Sequence, residues 1–289
     1  MTTPVLVGTD TAQPVAGAGA TAPGSRRSFV PGFRPVASVV ISLLVVLALW
    51  EGFLKAFHLD PLVAKSPEAV AKYLFSGADA SAHRRLVAKG LGQTMGDAAL
   101  GFSAGLISAT VVALVFLLSR SVEQALLPLA VTVRSVPLVA MTPLLTLVFG
   151  RGLLGTMVIS GILVFFPALV TIIFGLRSTS RQVVEVCTAF GAGGWVVARK
   201  VMLPSALPAL FASARVGVPG AVVGAMLAEW LATGRGLGYA MLQDASTFEY
   251  DHLWASVVAV TLTSVVLYYT VAGLEALVLA RFGPAGGRR

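Results

Sequence analysis

Cysteine, histidine and charged residues are all scarce in this chain of 289 residues. The single cysteine, Cys187, excludes an internal disulfide, and the three histidines lie too far apart in the sequence to suggest a metal site. Only 12% of the residues are charged, against roughly 25% in an average soluble domain, whereas 56% are hydrophobic. This composition argues against a soluble globular protein and favours a membrane protein.

The net charge of +8 raises the alternative of a nucleic-acid-binding protein. The Lys and Arg residues, however, lie in the connectors between apolar runs and do not form one basic face. The dipeptide Gly-Lys is absent, so the chain has no phosphate-binding Walker loop. We therefore expect no nucleic-acid partner, no cofactor and no ATP site in this polypeptide.

Several uncharged runs are long enough to cross a bilayer, whose hydrocarbon core of roughly 30 Å requires about 20 apolar residues in a helix. Each run is predicted to be a helix, because lipid offers the backbone no hydrogen-bonding partners and the runs lack the alternation of a barrel strand. The predicted fold is an all-α polytopic membrane protein. Its six transmembrane helices are expected at about 36–57, 93–118, 124–149, 153–175, 207–231 and 252–280.

The rest of the chain consists of two tails and the connectors between the six predicted spans. Residues 1–32 are rich in Ala, Gly, Thr and Pro and are expected to form a disordered cytoplasmic tail, and 283–289 a second tail. The side that holds both termini carries more Lys and Arg than the other side, which predicts that this side is cytoplasmic. In the first external connector, Ser66 and Pro67 predict the start of a short helix.

The connector 178–206 lies between the fourth and fifth spans and is long for a structureless loop. Residues 185–190 have helical character, Gly191 permits a tight turn, and 195–202 can form a second helix. Two short helices joined by a glycine corner form a projection with Phe190 near its tip. Such a projection suits a cleft on a partner protein.

The same connector resembles the EAA loop, E-A-A-x3-G-x9-I-x-L-P, of the permease subunits of binding-protein-dependent ABC importers. Its spacing is reproduced by Glu185, Gly191, Val201, Leu203 and Pro204. The chain departs from the pattern at both alanines, which are Val186 and Cys187 here, and at the isoleucine, which is Val201. Between about 33 and 282 the chain is similar to the nitrate, sulfonate and taurine group of these importers. This wider similarity rests on the motifs SPEAV at 66, RSVP at 134, FG at 149, KVMLPSALP at 200, AE at 228 and GLGY at 236.

The resemblance implies a type I ABC importer permease with MetI-like architecture, in the bacterial cytoplasmic (inner) membrane. It further implies a homodimeric pore for a small anionic or polar solute such as a sulfonate, taurine or nitrate. The expected partners are a second permease copy, two cytoplasmic ABC ATPase subunits and an extracytoplasmic solute-binding protein. The loop would dock in the ATPase through the five motif residues and Phe190. The permease would not itself be an enzyme, since ATP would be bound by the partner.

Charged residues within spans are costly and suggest function. Arg134, in the third span, either faces an anion in the pore or pairs with an acidic residue or a carbonyl group to hold helices together. Glu229, near the outer end of the fifth span, either forms part of a gate or extends to the membrane interface. Pro137 supplies either a hinge or a packing kink. Arg215 is expected to extend to the lipid headgroups.

Two other kinds of protein compete with the importer permease. An ATP-independent secondary transporter or channel is expected to show inverted repeats or several buried ionisable residues, and neither is clear in this chain. A membrane-anchored scaffold would leave the Glu185 to Pro204 spacing unexplained. The sequence leaves open the solute, and whether the two permeases are identical.

Overall fold

The computed structural model describes Arg34–Phe282, and all the secondary structure in this range is helical, which confirms the predicted all-α fold. The predicted tails 1–32 and 283–289 lie outside the described residues. The chain divides into two compact units between Ala48 and Leu49, within the first helix. The α-helices are α1 (Arg34–Ala56), α2 (Pro67–Phe75), α3 (Ala80–Leu118), α4 (Arg120–Arg134), α5 (Leu138–Phe149), α6 (Leu153–Arg177), α7 (Arg181–Ala189), α8 (Gly194–Val197), α9 (Leu203–Ser205), α10 (Leu207–Ala228), α11 (Leu237–Thr247) and α12 (Tyr250–Phe282). Two π-helical turns, π1 (Ala198–Met202) and π2 (Glu229–Thr233), follow α8 and α10.

Within Arg34–Phe282, four helical stretches are long and apolar enough to cross a membrane. They are Ala80–Leu118, Leu153–Arg177, Leu207–Thr233 and Tyr250–Arg281. These stretches cover the second, fourth, fifth and sixth predicted spans, and α1 covers most of the first. The described residues support a multi-pass membrane protein, while the count of six spans stays a prediction.

The predicted third span, 124–149, is not one straight helix. α4 and α5 meet at an angle of 109°, so they form either a broken span or a re-entrant loop. Pro137 accounts for the break, because proline has no amide hydrogen and disfavours helical geometry at the residue before it. Its backbone is extended, with φ −60° and ψ 117°. Pro143 and Pro219, by contrast, lie inside helices that continue through them.

The centre of the protein is a bundle of α3, α6 and α10 whose backbones approach closely. Gly101 and Gly105 on α3 face Ser160 and Gly161 on α6, and a Cβ atom on either α3 glycine would overlap atoms of α6. The Ser160 hydroxyl donates a hydrogen bond of 2.9 Å to the carbonyl oxygen of Ala221 on α10. Small residues are typical of such interfaces, since helix association in lipid depends on close van der Waals contact.

Buried apolar side chains surround these close contacts in two clusters. The first joins the C-terminal halves of α3 and α6 and includes Ala109, Ala113, Phe116, Ala168, Leu169, Ile172, Ile173, Leu176 and Ala206. The second joins α3, α6 and α10 to α11 and α12 and includes Ala98, Val164, Ala221, Val222, Ala225, Leu237 and Val260. The bundle therefore contacts Ala206, which precedes α10, and also Leu237 of α11, which follows α10.

The end of α1 and the segment that follows it pack against the start of α12. Trp50 and Trp254 stack with ring centroids 5.3 Å apart, and the Trp254 indole N–H donates to the carbonyl oxygen of Val63 at 2.9 Å. The predicted start of α2 is confirmed, because the Ser66 hydroxyl accepts a hydrogen bond of 3.2 Å from the Ala69 N–H.

Gly105→Ala should destabilise the bundle, whereas Gly96→Ala on the same helix should not. A Cβ at position 105 meets the Gly161 carbonyl oxygen, while a Cβ at position 96 meets nothing within 4 Å. Overpacking of this kind costs about 1–3 kcal/mol. The melting temperature of the purified protein in detergent should therefore fall by several degrees for Gly105→Ala only. Equal melting temperatures for the two variants would contradict the close contact.

Candidate functional site

The predicted EAA-like loop 178–206 has two parts, and the first part projects from the bundle. α7 ends in a Schellman motif in which Gly191 has a φ of 83°. The Gly191 N–H donates to the Thr188 carbonyl oxygen at 2.9 Å, and the Ala192 N–H donates to that of Cys187 at 3.0 Å. Left-handed backbone costs a residue with a Cβ atom roughly 1–2 kcal/mol, so glycine is favoured at this corner.

The side chains around this corner are exposed and largely apolar. Phe190 is 89% exposed, and Val186 and Trp195 are also exposed. Glu185 is exposed and forms an ion pair of 2.9 Å with Arg181, one helical turn earlier. We call α7 together with Phe190 and Trp195 the knob. Exposed apolar groups of this kind indicate a surface that a partner covers.

The second part of the loop is anchored to the bundle. Val197 and Ala198 are buried, and π1 contacts α3. Leu203 packs against the buried cluster shared by α3 and α6. Val201 is half-buried and Pro204 is exposed. The knob therefore stands on a segment that is fixed to α3 and α6.

Glu229 is fully buried, with 0% exposure, and links three elements of the fold. Its Oε2 atom accepts hydrogen bonds from the Thr94 hydroxyl at 2.9 Å and from the Gly238 N–H at 2.8 Å. The Thr94 hydroxyl oxygen also accepts a bond of 2.9 Å from the Leu237 N–H. The Oε1 atom has no hydrogen-bond partner among the described residues. This Glu229 link joins α3, π2 and the start of α11.

The two glycines of the GLGY segment lie so close to the Glu229 link that a larger side chain would not fit. A Cβ atom on Gly236 would overlap the Glu229 carboxylate, and the φ of Gly236 is 87°. A Cβ atom on Gly238 would lie 2.6 Å from the carbonyl oxygen of Met226. The sequence motifs AE and GLGY are therefore two halves of one contact. The burial of Glu229 argues against its extension to the membrane interface, and a role in gating stays a prediction.

Arg134 and Pro137 lie together at the bend between α4 and α5. Arg134 is the last residue of α4 and is exposed, and none of the residues that the structure describes forms a hydrogen bond or ion pair with it. Pro137 is exposed and immediately precedes α5. The expectation that Arg134 pairs with an acidic residue thus finds no support within the described chain.

The sequence prediction for Arg215 was wrong, and Thr94 was missed. Arg215 does not extend to the headgroups, because it pairs with Glu275 of α12 at 3.1 Å and lies 5.7 Å from the centre of the Tyr268 ring. Thr94 and Asp97 are the two buried polar side chains of α3 among the described residues. Their spacing of three residues places them on one helical face, which is the signal that the sequence offered.

These features define a class: a multi-pass, all-helical membrane protein with an anchored loop that carries the EAA-like spacing at its surface. The chain belongs to the family described as binding-protein-dependent transport system inner membrane component, whose model matches residues 101–283. The resemblance to permeases of binding-protein-dependent ABC importers is thereby confirmed. Family membership also argues against the secondary transporter and the scaffold.

Curated relatives extend the similarity to most of the chain. A probable ABC transporter permease protein of Haemophilus influenzae is 29% identical over 78% of this chain and 90% of its own length. The taurine transport system permease protein TauC of Escherichia coli is 27% identical over 86% of this chain and 89% of its own. The riboflavin transport system permease protein RibX of Chloroflexus aurantiacus is 32% identical over 55% of this chain and 60% of its own.

Glu229→Gln should retain the stability of the protein, whereas Glu229→Ala should reduce it. The glutamine carbonyl oxygen can accept both hydrogen bonds that Oε2 accepts, but alanine leaves the buried Gly238 N–H without a partner. A buried unpaired group costs about 1–3 kcal/mol. Melting temperatures in detergent should therefore rank wild type and Glu229→Gln above Glu229→Ala.

Thr94→Val is the matched variant on the other side of the link, and its melting temperature should also fall below that of wild type, because the Leu237 N–H loses its acceptor. It removes one hydroxyl and keeps the size of the side chain. If Glu229→Gln is as unstable as Glu229→Ala, the negative charge is required and the hydrogen-bonding account of the link is wrong.

Proposed function

We propose that this protein is the permease subunit of an ATP-driven importer and couples to a separate ATPase through the knob. One observation carries the proposal. Phe190 and its apolar neighbours are exposed on a short helix whose continuation is fixed to α3 and α6. A partner that moves the knob would move these helices as one body, as in rigid-body switching between two states. ATP is bound and hydrolysed by the partner in this proposal.

The proposed assembly contains two permeases, two cytoplasmic ATPase subunits and an external solute-binding protein. Its support is the family itself, whose description names a binding-protein-dependent transport system. Both termini of the permease are proposed to be cytoplasmic, since the knob must lie on the ATPase side and the Lys and Arg excess agrees with it.

The proposed cargo is a small anionic or polar solute such as a sulfonate, taurine or nitrate. Relatives named for taurine and for aliphatic sulfonates support it. Relatives named for riboflavin and for formylaminopyrimidine offer a second class, an aromatic heterocycle. Arg134 favours the first class, because an exposed guanidinium at the bend can pair with an anion.

Phe190→Ala should weaken retention of the ATPase by the permease. Phe190 is almost fully exposed, so its removal does not disturb the packing of the chain. A central aromatic contact at an interface contributes about 2 kcal/mol or more. Co-purification of the ATPase with tagged permease, and ATP-dependent uptake in proteoliposomes, should both fall. Gly191→Asp and Glu185→Arg should act in the same direction.

Phe75→Ala is the matched control, since Phe75 is also exposed but ends α2, on the opposite side of the membrane in the proposed topology. It should leave ATPase retention unchanged. Full retention and unchanged uptake in Phe190→Ala, Gly191→Asp and Glu185→Arg would refute the coupling role of the knob.

Arg134→Gln should reduce uptake of an anionic solute, and Arg134→Lys should largely restore it. The solute is first identified from melting shifts of the partner binding protein with taurine, alkanesulfonates, nitrate, riboflavin and formylaminopyrimidine. A hydrogen bond to a charged group contributes about 1.5–3 kcal/mol, which corresponds to about a 10- to 100-fold loss of uptake. Arg151→Gln, another exposed arginine, is the control. Unchanged uptake of an anion by Arg134→Gln would contradict its role in the pore.

A further inference from the structure

The turn between α11 and α12 carries a highly exposed aromatic side chain. Phe248 is 75% exposed, and its one aromatic neighbour among the described residues is Tyr250, whose ring meets it edge-on at a centroid distance of 6.2 Å. Glu249, between the two rings in the chain, is also exposed. We call Phe248, Glu249 and Tyr250 the α11 corner. These residues belong neither to the EAA-like loop nor to the Glu229 link.

The backbone of the α11 corner is unfavourable for the residue that it carries. Phe248 has a φ of 66° and a ψ of 22°, which is the left-handed region. A residue with a Cβ atom is disfavoured there, and glycine usually ends a helix in this way, as Gly191 does after α7. The Phe248 ring is mostly exposed, so burial does not compensate this strain. Strain of this kind is typical of functional sites.

The helix before the α11 corner is fixed at both ends. At its start, the Gly238 N–H donates to Glu229 at 2.8 Å. Near its end, the Oδ2 atom of Asp244 lies 2.6 Å from the Nδ1 atom of the buried His252 on α12. Phe248 therefore projects from a rigid support. An exposed aromatic group that is held in this way loses little conformational entropy when a partner covers it.

The charge next to Phe248 is negative. Glu249 forms no ion pair or side-chain hydrogen bond within the described part of the chain. Asp251 is the next acidic residue, and it pairs with Lys65 at 3.1 Å. The negative surface of a membrane rich in anionic lipids repels Glu249, whereas Lys or Arg on a protein surface attracts it. The charge thus favours a protein partner over a lipid surface.

The α11 corner and the knob are separated in the chain by one candidate span, Leu207–Thr233. A single crossing by this helix places them on opposite sides of the membrane. The knob is proposed to face the ATPase, so the α11 corner faces the side from which the solute is delivered. The family description names a binding protein as the partner of such a permease. This step rests on the proposed function.

We propose that the α11 corner is a docking point for the solute-binding protein. Phe248 inserts into an apolar recess of that protein, and Glu249 pairs with a basic side chain at the rim of the recess. The left-handed backbone at Phe248 lowers the stability of the permease but directs the ring toward the partner.

The test measures binding of the purified, solute-loaded binding protein to the permease–ATPase complex in phosphatidylcholine nanodiscs. Phe248→Gly should weaken binding about 30-fold, the effect expected for loss of a central aromatic contact. Its melting temperature should equal or exceed that of wild type, because glycine adopts left-handed backbone freely. A lower melting temperature with unchanged binding shows that Phe248 has only a structural role, and it overturns the proposal.

Glu249→Gln tests the charge of the α11 corner. It should weaken binding severalfold at low salt and reduce the dependence of binding on salt concentration, as expected for a charge at the rim of an interface. Phe75→Ala is the matched control, since Phe75 is 72% exposed and lies on the same side of the membrane in the proposed topology. It should bind as wild type does. An equal loss in Phe75→Ala and Phe248→Gly would refute a specific contact at Phe248.

Phe248→Trp distinguishes a protein partner from the membrane. The difference in tryptophan emission between this variant and wild type should shift to shorter wavelength when the binding protein is added. Quenching by brominated phosphatidylcholine without the binding protein would place the side chain in lipid and overturn the proposal. If Phe248→Gly retains the ATPase and still binds the binding protein normally, the role of the α11 corner is refuted alone. If wild type retains no ATPase, the proposed function fails, and the role of the α11 corner fails with it.

Discussion

The structure depends on the close approach of α3, α6 and α10. This approach is possible because glycine, which has no side chain, occupies positions where the helices touch. Gly101 and Gly105 meet Ser160 and Gly161 with no room for a Cβ atom. In lipid the hydrophobic effect does not drive helices together, so such short contacts carry much of the association energy. The larger side chains of the two buried clusters fill the space around them. The remaining helices take their positions from this bundle.

The bundle has different surroundings at its two ends. At one end the anchored part of the EAA-like loop packs on α3 and α6 through buried side chains such as Val197 and Ala198. At the other end the Glu229 link ties π2 and α11 to α3 with hydrogen bonds. A helix of 22 residues such as α10 spans roughly 33 Å, so packed helices connect the loop with the link.

The sequence predicted those structural features that depend on a local pattern of residues. Apolar runs indicated the spans, Ser66 indicated a helix cap, and Gly191 indicated the corner of the loop. The bend of 109° was not predicted, because Pro137 fixes that a helix ends but not the direction in which the chain continues. The Glu229 link was not predicted either, since Thr94 and Glu229 are 135 residues apart and only the folded bundle brings them together. Arg215 was misjudged for the same reason, because Glu275 lies on another helix.

The charges inside the candidate spans show which surfaces of the chain still require a partner. A charge in hydrocarbon must be paired or face water, since its transfer into lipid is costly. Arg215 is paired with Glu275, and Glu229 is buried and accepts two hydrogen bonds at its Oε2 atom. Arg134 differs from both, because it is exposed and no described residue of its own chain pairs with it. The described residues therefore supply no polar partner for Arg134. In the proposed assembly of two permeases, a water-filled pathway between the copies would supply polar surroundings for Arg134, whereas a lipid-facing surface would not.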